Sequence, residues 1–124
     1  MAKKIRIKAG NVTVEAELNS TRTAQAIWDA LPIRAHGSRW GGEMYFGVDA
    51  KGYSENAKAE VGVGELAFWP PGNAICIFWG PTPASHGSEP RAASPVTVWG
   101  RIAGDATIFE KVPSGTEIVI ERVA

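Results

Sequence analysis

The fold is decided by one stretch of the chain: Leu66-Ala67-Phe68-Trp69-Pro70-Pro71-Gly72-Asn73-Ala74-Ile75-Cys76-Ile77-Phe78-Trp79. Residues 66–69 and 74–79 are short, nearly continuous apolar runs rich in aromatic and β-branched residues, which is typical of strands buried on both faces. The Pro-Pro-Gly-Asn segment between them is turn material. Alternation along the second run predicts that one set of side chains faces the interior and another an outer layer. The two sets are Ile75, Ile77 and Trp79, and Ala74, Cys76 and Phe78.

The rest of the chain predicts more strands and one helix. Period-two alternation over 5–9 and 12–18, separated by Gly10-Asn11, predicts a hairpin. Apolar residues at 24, 27, 28 and 31 have helical spacing, follow the possible N-caps Asn19-Ser20-Thr21 and precede Pro32. Further strands are predicted over 43–48, 96–102 and 116–123. Many short strands, one amphipathic helix and no internal repeat favour a mainly β single domain over 1–124, a closed β-barrel capped by the helix.

The segment Gly80 to Pro95 differs from the rest because it holds four prolines in 16 residues. Neither a helix nor a central strand accommodates such a run, so we expect a long loop. Loops of this length inside small domains are usually functional or disordered. Its role as a lid or as part of an interface stays open from the sequence.

Charge and hydropathy exclude several classes of protein. Thirteen Lys and Arg balance 13 Asp and Glu, which argues against binding to nucleic acid or to an anionic membrane. The longest apolar run, 74–79, is far shorter than the roughly 20 residues needed to cross a bilayer. Alternation at the N-terminus does not predict a signal peptide, and the single cysteine, Cys76, cannot form an internal disulfide. We therefore expect a cytoplasmic protein.

Residue types that carry chemistry are few. The only His and Cys residues are His36, His86 and Cys76, which have no metal-ligand spacing, so we expect neither a metal nor another cofactor. Ser85-His86 lacks the sequence context of a nucleophile and is interpreted as loop. Aromatic residues are instead concentrated in the middle third of the chain, where they form core or line a groove suited to proline-rich or apolar ligands. They are Trp40, Tyr45, Phe46, Phe68, Trp69, Phe78 and Trp79.

Four blocks together resemble a small prokaryotic cyclophilin-like family: Phe68 to Ser85 (Phe-Trp-Pro-Pro-Gly through Phe-Trp-Gly-Pro-Thr-Pro), Thr23 to Ile33, Trp40 to Phe46 and Ala92 to Ile102. The resemblance implies a closed eight-stranded cyclophilin-type barrel. Cyclophilins are peptidyl-prolyl isomerases in which an arginine polarises the prolyl amide and an apolar pocket holds the ring. Their Phe-Gly-Lys-Val strand ending is similar to residues 99–102 here.

This chain departs from the isomerase pattern in its pocket. Aligned on that strand ending, the pocket histidine falls on Val96 and the pocket tryptophan near Arg91. The Phe-His-Arg and Gln-Gly-Gly signatures are absent too. Arg34 and Arg39 are the candidates to replace the missing arginine.

Four functions stay open. The leading hypothesis is a module that binds a peptide or a small apolar ligand in an aromatic cleft bounded by Tyr45, Phe68, Phe78 and Pro81. The alternative is an atypical prolyl isomerase, with Arg39 as the catalytic donor beside Glu43. A third is an enzyme acting on a small molecule through a desolvated Glu43 carboxyl. A fourth is a homo-oligomer whose second copy covers the aromatics.

Overall fold

A computed structural model describes residues 3–123 of the chain. The N-terminal hairpin is confirmed: β1 (Lys4–Ala9) and β2 (Val12–Leu18) pair antiparallel around Gly10. The predicted helix is α1 (Arg22–Ala30), and the Thr21 hydroxyl caps it by accepting from the Ala24 N–H at 3.0 Å. Among the described residues, no helix is long and apolar enough to cross a membrane.

Eight further strands complete an antiparallel architecture. They are β3 (Ile33–His36), β4 (Ser38–Arg39), β5 (Glu43–Gly47), β6 (Lys58–Glu60), β7 (Glu65–Trp69), β8 (Ala74–Phe78), β9 (Arg91–Ala103) and β10 (Glu117–Arg122). The sheet order is β3-β10-β1-β2-β9-β7-β8-β5-β4, and β6 also pairs with β9. Short 3₁₀ helices occupy Pro70–Gly72 and Ala106–Lys111. The two strands predicted around Pro70-Pro71-Gly72-Asn73 are thus neighbours, as β7 and β8.

The mainly β class is confirmed, but closure into an eight-stranded barrel is not. Within residues 3–123 the hydrogen-bonded order ends at β3 on one side and at β4 on the other. These strands follow each other directly in sequence through Gly37, yet β3 pairs with β10 and β4 with β5. The Gly37 N–H donates to the Thr116 carbonyl at 2.9 Å instead of closing the ladder.

The predicted loop Gly80 to Pro95 was too long, because β9 begins at Arg91. Pro95 lies inside this strand, between the positions Arg91 and Val96 where β6 pairs with it in shifted register. An irregular ladder of this kind tolerates a residue without an N–H. Pairing of β9 with β7 begins only at Thr97, opposite Phe68.

Two cores form on the two faces of the β9-β7-β8-β5 part of the sheet. The larger, inner core includes Met44, Phe68, Ile75, Ile77 and Trp79. The smaller, outer cluster consists of Val61, Ala67, Cys76, Phe78, Ala92 and Val96. The predicted division of β8 into two sets is therefore confirmed for Ile75, Ile77 and Trp79 against Cys76 and Phe78.

Candidate functional site

A cleft of about 290 Å³ opens on the outer face, beside the outer cluster. Trp40, Glu43, Tyr45, Trp69, Ala92 and Ala93 line it. Three of these side chains are aromatic and one is a carboxyl. Such a mixture of apolar wall and few polar groups is typical of small-molecule sites.

The hairpin from β4 to β5 brings the aromatic wall and the carboxyl together. Its turn is Gly41-Gly42, with a φ of +62° at Gly41, and the Trp40 N–H donates to the Glu43 carbonyl at 2.9 Å. Ser38 pairs with Tyr45 and Arg39 with Met44, so the register continues to Trp40 opposite Glu43. Because side chains alternate along a strand, Trp40, Glu43 and Tyr45 share the face that carries the cleft.

Glu43 is 5% exposed, and its Oε1 atom is buried without a hydrogen-bond partner. Burial raises the pKa of this carboxyl to about 7, although a hydrogen bond with the Cys76 thiol lowers it in part. The Cys76 thiol has its own pKa raised well above the usual value by burial and by the Glu43 carboxyl, so it stays protonated. A carboxyl in this state can exchange a proton near neutral pH or accept a hydrogen bond from a ligand. Within residues 3–123, no third His, Cys, Asp or Glu joins these two as a possible metal ligand.

The Trp69 indole is fixed on the opposite side of the cleft. Its Nε1–H donates to the Ser94 hydroxyl of β9 at 2.7 Å. A Cβ atom at Gly72 would lie 2.8 Å from the ring, so only glycine fits beside it there. The hydrogen bond to Ser94 and the contact with Gly72 orient this indole without a ligand, which reduces the entropy lost on binding.

Two of the six cleft residues expected from the sequence, Glu43 and Tyr45, line the cleft. Phe68 and Phe78 do not. Phe68 is 2% exposed and belongs to the inner core, because it alternates with Ala67 and Trp69 along β7. Phe78 is on the outer face opposite Glu43 but is fully buried within the outer cluster. The strand register therefore corrects the predicted cleft: Phe68 and Phe78 are not among the residues that line it.

Arg39 does not enter the cleft. It pairs with Met44, whose side chain lies in the inner core, so alternation turns Arg39 away from Glu43. Its guanidinium donates to the carbonyls of Gly41, Glu110 and Val112 at 3.0–3.2 Å and to the Glu110 carboxylate at 3.1 Å. It also lies over the Trp79 ring. Arg39 therefore joins the hairpin to the second 3₁₀ helix and has a structural role. Arg34 is on the exposed surface beside Glu117.

Pro81 also lies outside the cleft lining. It is exposed, and its carbonyl accepts from the Gly42 N–H at 2.7 Å, which fixes the loop after β8 to the hairpin turn. Farther along this loop, the Glu89 carboxylate accepts from the N–H groups of His86 and Gly87, both at 2.8 Å. The Ser85 hydroxyl donates to the Glu89 carbonyl. Ser85 and His86 thus contribute to loop structure, as interpreted from the sequence.

The sequence left open whether Trp40 and Trp69 form core or line a groove and did not place them in the cleft, and it did not single out Ala92 and Ala93. Trp69 could have been found, since the alternation that divides β8 applies equally to β7 and places Trp69 opposite in face to Phe68. Trp40 could have been found from the Gly41-Gly42 turn, which makes it the cross-strand neighbour of Glu43. Ala92 and Ala93 carry no chemical signature, and their place depends on the tertiary path of β9.

Comparison with known proteins finds similarity both to a family and to a solved structure. Residues 3–121 match the model of a family described as cyclophilin-like. The solution structure of a hypothetical protein from Archaeoglobus fulgidus is similar to this chain, with a TM-score of 0.82 and 38% sequence identity. The similarity covers 98% of this chain and 95% of the archaeal one. No curated protein matches the sequence.

Proposed function

This chain belongs to the cyclophilin-like family, and on that premise we propose that it is a binding module whose outer-face cleft holds a peptide segment or a small, largely apolar ligand. The observation that carries the proposal is the lining itself: two indoles and a phenol beside a buried carboxyl with an unpartnered oxygen. Aromatic side chains provide apolar area at low entropic cost. A buried acceptor without a donor favours a ligand that supplies one.

The same geometry does not favour the isomerase alternative. Prolyl isomerisation of the cyclophilin kind uses an arginine to polarise the amide, and no arginine is among the residues that line the cleft. Arg39 is engaged on the other face, and Arg91, next to Ala92, forms ion pairs with Glu60 and Glu89, both at 3.1 Å. Binding without isomerisation is therefore the function that we propose.

The binding proposal is tested by two-dimensional NMR on the folded protein with a panel of short proline-containing peptides and small aromatic compounds. We expect a binder to move the indole N–H signals of Trp40 and Trp69. Tyr45→Ala should weaken the response, because Tyr45 lines the cleft and is 37% exposed, so its loss leaves the cores intact. Tyr53→Ala is the matched control, since Tyr53 lies under Arg22 outside the cleft. Equal loss in both variants, or no binder in the panel, would count against the cleft.

Isomerase activity is tested separately by exchange NMR on an Ala-Pro peptide with substoichiometric protein. Uncatalysed cis/trans exchange takes tens of seconds, so cross-peaks on a shorter timescale require catalysis. We expect none with folded protein. Cross-peaks that disappear in Tyr45→Ala would instead assign the isomerase function to this cleft.

Homo-oligomerisation over the cleft and a cytoplasmic location stay predictions. Sedimentation at several protein concentrations tests the first. A second copy over the cleft would bury Tyr45, which is a large apolar side chain exposed at 37%. A dimer that dissociates in Tyr45→Ala and not in Tyr53→Ala would place the interface there.

A further inference from the structure

The aromatic rings of the protein divide into two groups according to whether a cation lies over them. Trp28 has Lys3 and Arg122 over its ring, Tyr53 has Arg22 and Lys51, and Trp79 has Arg39, all within 5.8 Å of the ring centre. Trp99 is fully buried. In the part of the chain that the structure describes, the remaining Trp and Tyr rings have no Lys or Arg over them, and these three line the cleft: Trp40, Tyr45 and Trp69.

The residues that line the cleft include one acidic group and no basic one. Glu43 is the charged residue among its lining side chains, and its Oε1 lacks a donor. The basic residues nearest to it in sequence and sheet are already paired: Arg39 with Glu110, and Arg91 with Glu60 and Glu89. Three aromatic rings and one carboxyl group are the combination of residues that binds alkylated ammonium groups, because the negative face of a ring attracts a cation.

We propose that the cleft binds an alkylated ammonium group, whose N–H donates to Glu43 Oε1 while its alkyl carbons contact the rings of Trp40, Tyr45 and Trp69. This inference rests on the proposed function, ligand binding in the same cleft, and names the chemistry of the ligand. A secondary or tertiary ammonium has both an N–H for Glu43 Oε1 and alkyl carbons for the three rings. A quaternary ammonium satisfies the rings but has no N–H for Oε1, and a neutral branched alkyl group satisfies neither the charge nor the ring quadrupoles.

Three probes of nearly equal size separate these contributions: trimethylammonium chloride, tetramethylammonium chloride and tert-butanol. Each is titrated into the folded protein, and the indole N–H signals of Trp40 and Trp69 report binding. Trp28 is an internal control, because its ring is already covered by Lys3 and Arg122. We expect trimethylammonium to bind at least about tenfold more tightly than tert-butanol, with tetramethylammonium between them. Equal affinity for trimethylammonium and tert-butanol would overturn the inference.

Glu43→Gln keeps the size of the side chain and removes its charge. We expect this variant to bind trimethylammonium about tenfold more weakly and tert-butanol within about twofold of the wild type. Unchanged trimethylammonium affinity in Glu43→Gln would contradict the role of the carboxylate. Melting of both proteins under the same conditions establishes that each is folded.

The pH dependence follows from the state of Glu43. Its neighbours are Tyr45 on the same strand and the Cys76 thiol of β8, which stays neutral. Arg39 of β4 faces the inner core and is paired with Glu110, and Arg91 of β9 is paired with Glu89. With a pKa of about 7, the carboxyl is roughly one-tenth ionised at about pH 6 and nine-tenths at about pH 8. Tetramethylammonium, whose own charge is constant, should therefore bind up to about tenfold more tightly at the higher pH. A flat profile in the wild type would contradict the proposal.

Two sources could supply such a group, a free small amine or a methylated lysine side chain. The two sources are distinguished by comparing the affinity of an alanine-flanked peptide that contains Nε,Nε-dimethyllysine with the affinity of trimethylammonium. Tighter binding of the peptide assigns the side chain as the source, and weaker binding assigns the free amine. Either result supports an ammonium site, whereas tighter binding of the matched leucine peptide overturns it and leaves the proposed binding function intact. Failure of the binding function itself is recognised by the Tyr45→Ala and Tyr53→Ala comparison.

Discussion

Two charged residues of one hairpin, Arg39 and Glu43, have opposite surroundings. The Arg39 guanidinium donates hydrogen bonds to three carbonyls and to the Glu110 carboxylate, and it lies over the Trp79 ring. Glu43 is 5% exposed and has one oxygen with no partner. The two are separated by a Gly-Gly turn and by the alternation of the strands. Arg39 is therefore satisfied within the fold, whereas Glu43 keeps one buried oxygen, Oε1, that no group of the fold within residues 3–123 satisfies.

The same contrast appears in the pKa values of the two carboxyls involved. Hydrogen bonds from the Trp79 indole and from Arg39 lower the pKa of Glu110 below its usual range. Burial raises the pKa of Glu43 to about 7. A buried polar group that the protein leaves unpaired reduces stability, and carboxyls whose pKa burial raises strongly are concentrated at functional sites. The comparison thus distinguishes a structural polar cluster from a candidate binding site without any knowledge of the ligand.

Gly42→Ala should disrupt both sides of the hairpin, the Arg39 cluster and the Glu43 cleft. It should therefore have the largest effect on stability. A Cβ atom at Gly42 would lie 2.4 Å from the Gly80 backbone, and this backbone cannot move without breaking the hydrogen bonds of Gly42 with Trp79, Gly80 and Pro81. We expect a loss of about 4 kcal/mol in the free energy of unfolding, measured by urea denaturation. Gly47→Ala is the control, since the nearest atom to its new Cβ would be 4.0 Å away. Equal losses in the two variants would show that the close approach at Gly42 is unimportant.

Arg39→Ala should weaken the structural side of the hairpin and leave the cleft in place. Because the carbonyls of Glu110 and Val112 lose their donor, we expect the free energy of unfolding to fall by about 3 kcal/mol. Ligand binding measured at the Trp40 and Trp69 indoles should stay within about twofold. Arg34→Ala provides the control, because the Arg34 side chain is 70% exposed and its ion pair with Glu117 contributes less than about 1 kcal/mol. A folded Arg39→Ala protein of unchanged stability that no longer binds would move Arg39 into the site.

Glu43→Gln should increase stability, unlike the two preceding variants, and the increase should depend on pH. A raised folded-state pKa means that the carboxyl contributes fully below its unfolded value of 4.5 and loses that contribution as pH rises through about 7. At about pH 8.5 the wild type buries a carboxylate, so the variant should be more stable by about 2 kcal/mol, with no gain near pH 4. Urea denaturation at both pH values measures this difference. A gain of the same size at both would rule out desolvation of the carboxylate as its cause.

Glu89→Gln should have the smallest effect, confined to the loop after β8. Backbone N–H groups of His86 and Gly87 and the Arg91 guanidinium hold the pKa of Glu89 at about 2. This lowered value means that the contacts are present above the ordinary glutamate range and are lost only as pH falls through about 2. We expect faster amide exchange at His86 and Gly87 in the variant, with little change in the unfolding midpoint. Exchange that spreads to β5 and β8 would show that the loop supports the cleft.

Most of the fold could be predicted from the sequence because its strands have strong local patterns. Alternation identified β1, β2 and β10, and continuous apolar runs identified β7 and β8. The strands that were missed, β3, β4 and β6, are only two to four residues long and are half exposed. Short segments of this kind are strands only because a neighbour pairs with them. The start of β9 was placed too late, because its first residues include Pro95 and depend on the irregular pairing with β6.

The site was predictable in part, for a different reason. Residue type indicated that aromatics near Glu43 and Tyr45 form a groove, but type alone does not say which face each aromatic occupies. Phe68 and Trp69 are neighbours in sequence, yet one fills the inner core and the other lines the cleft. Arg39 and Glu43 are similarly divided by the hairpin register. The parity of each strand decides these positions, and parity is known only once the pairing is known.

The pKa values of Glu43 and Glu110, followed together by carbon-detected NMR across a pH titration of the wild-type protein, test the central claim most directly. Glu43 faces the cleft on one side of the hairpin, and Glu110 contacts Arg39 on the other side. Both carboxyls are observed in one sample. Glu43 should titrate with a pKa of about 7 and Glu110 below the usual 4.5. A Glu43 that titrates near 4.5 would mean that its carboxyl is solvated or already paired, and the distinction between the two sides of the hairpin would be contradicted.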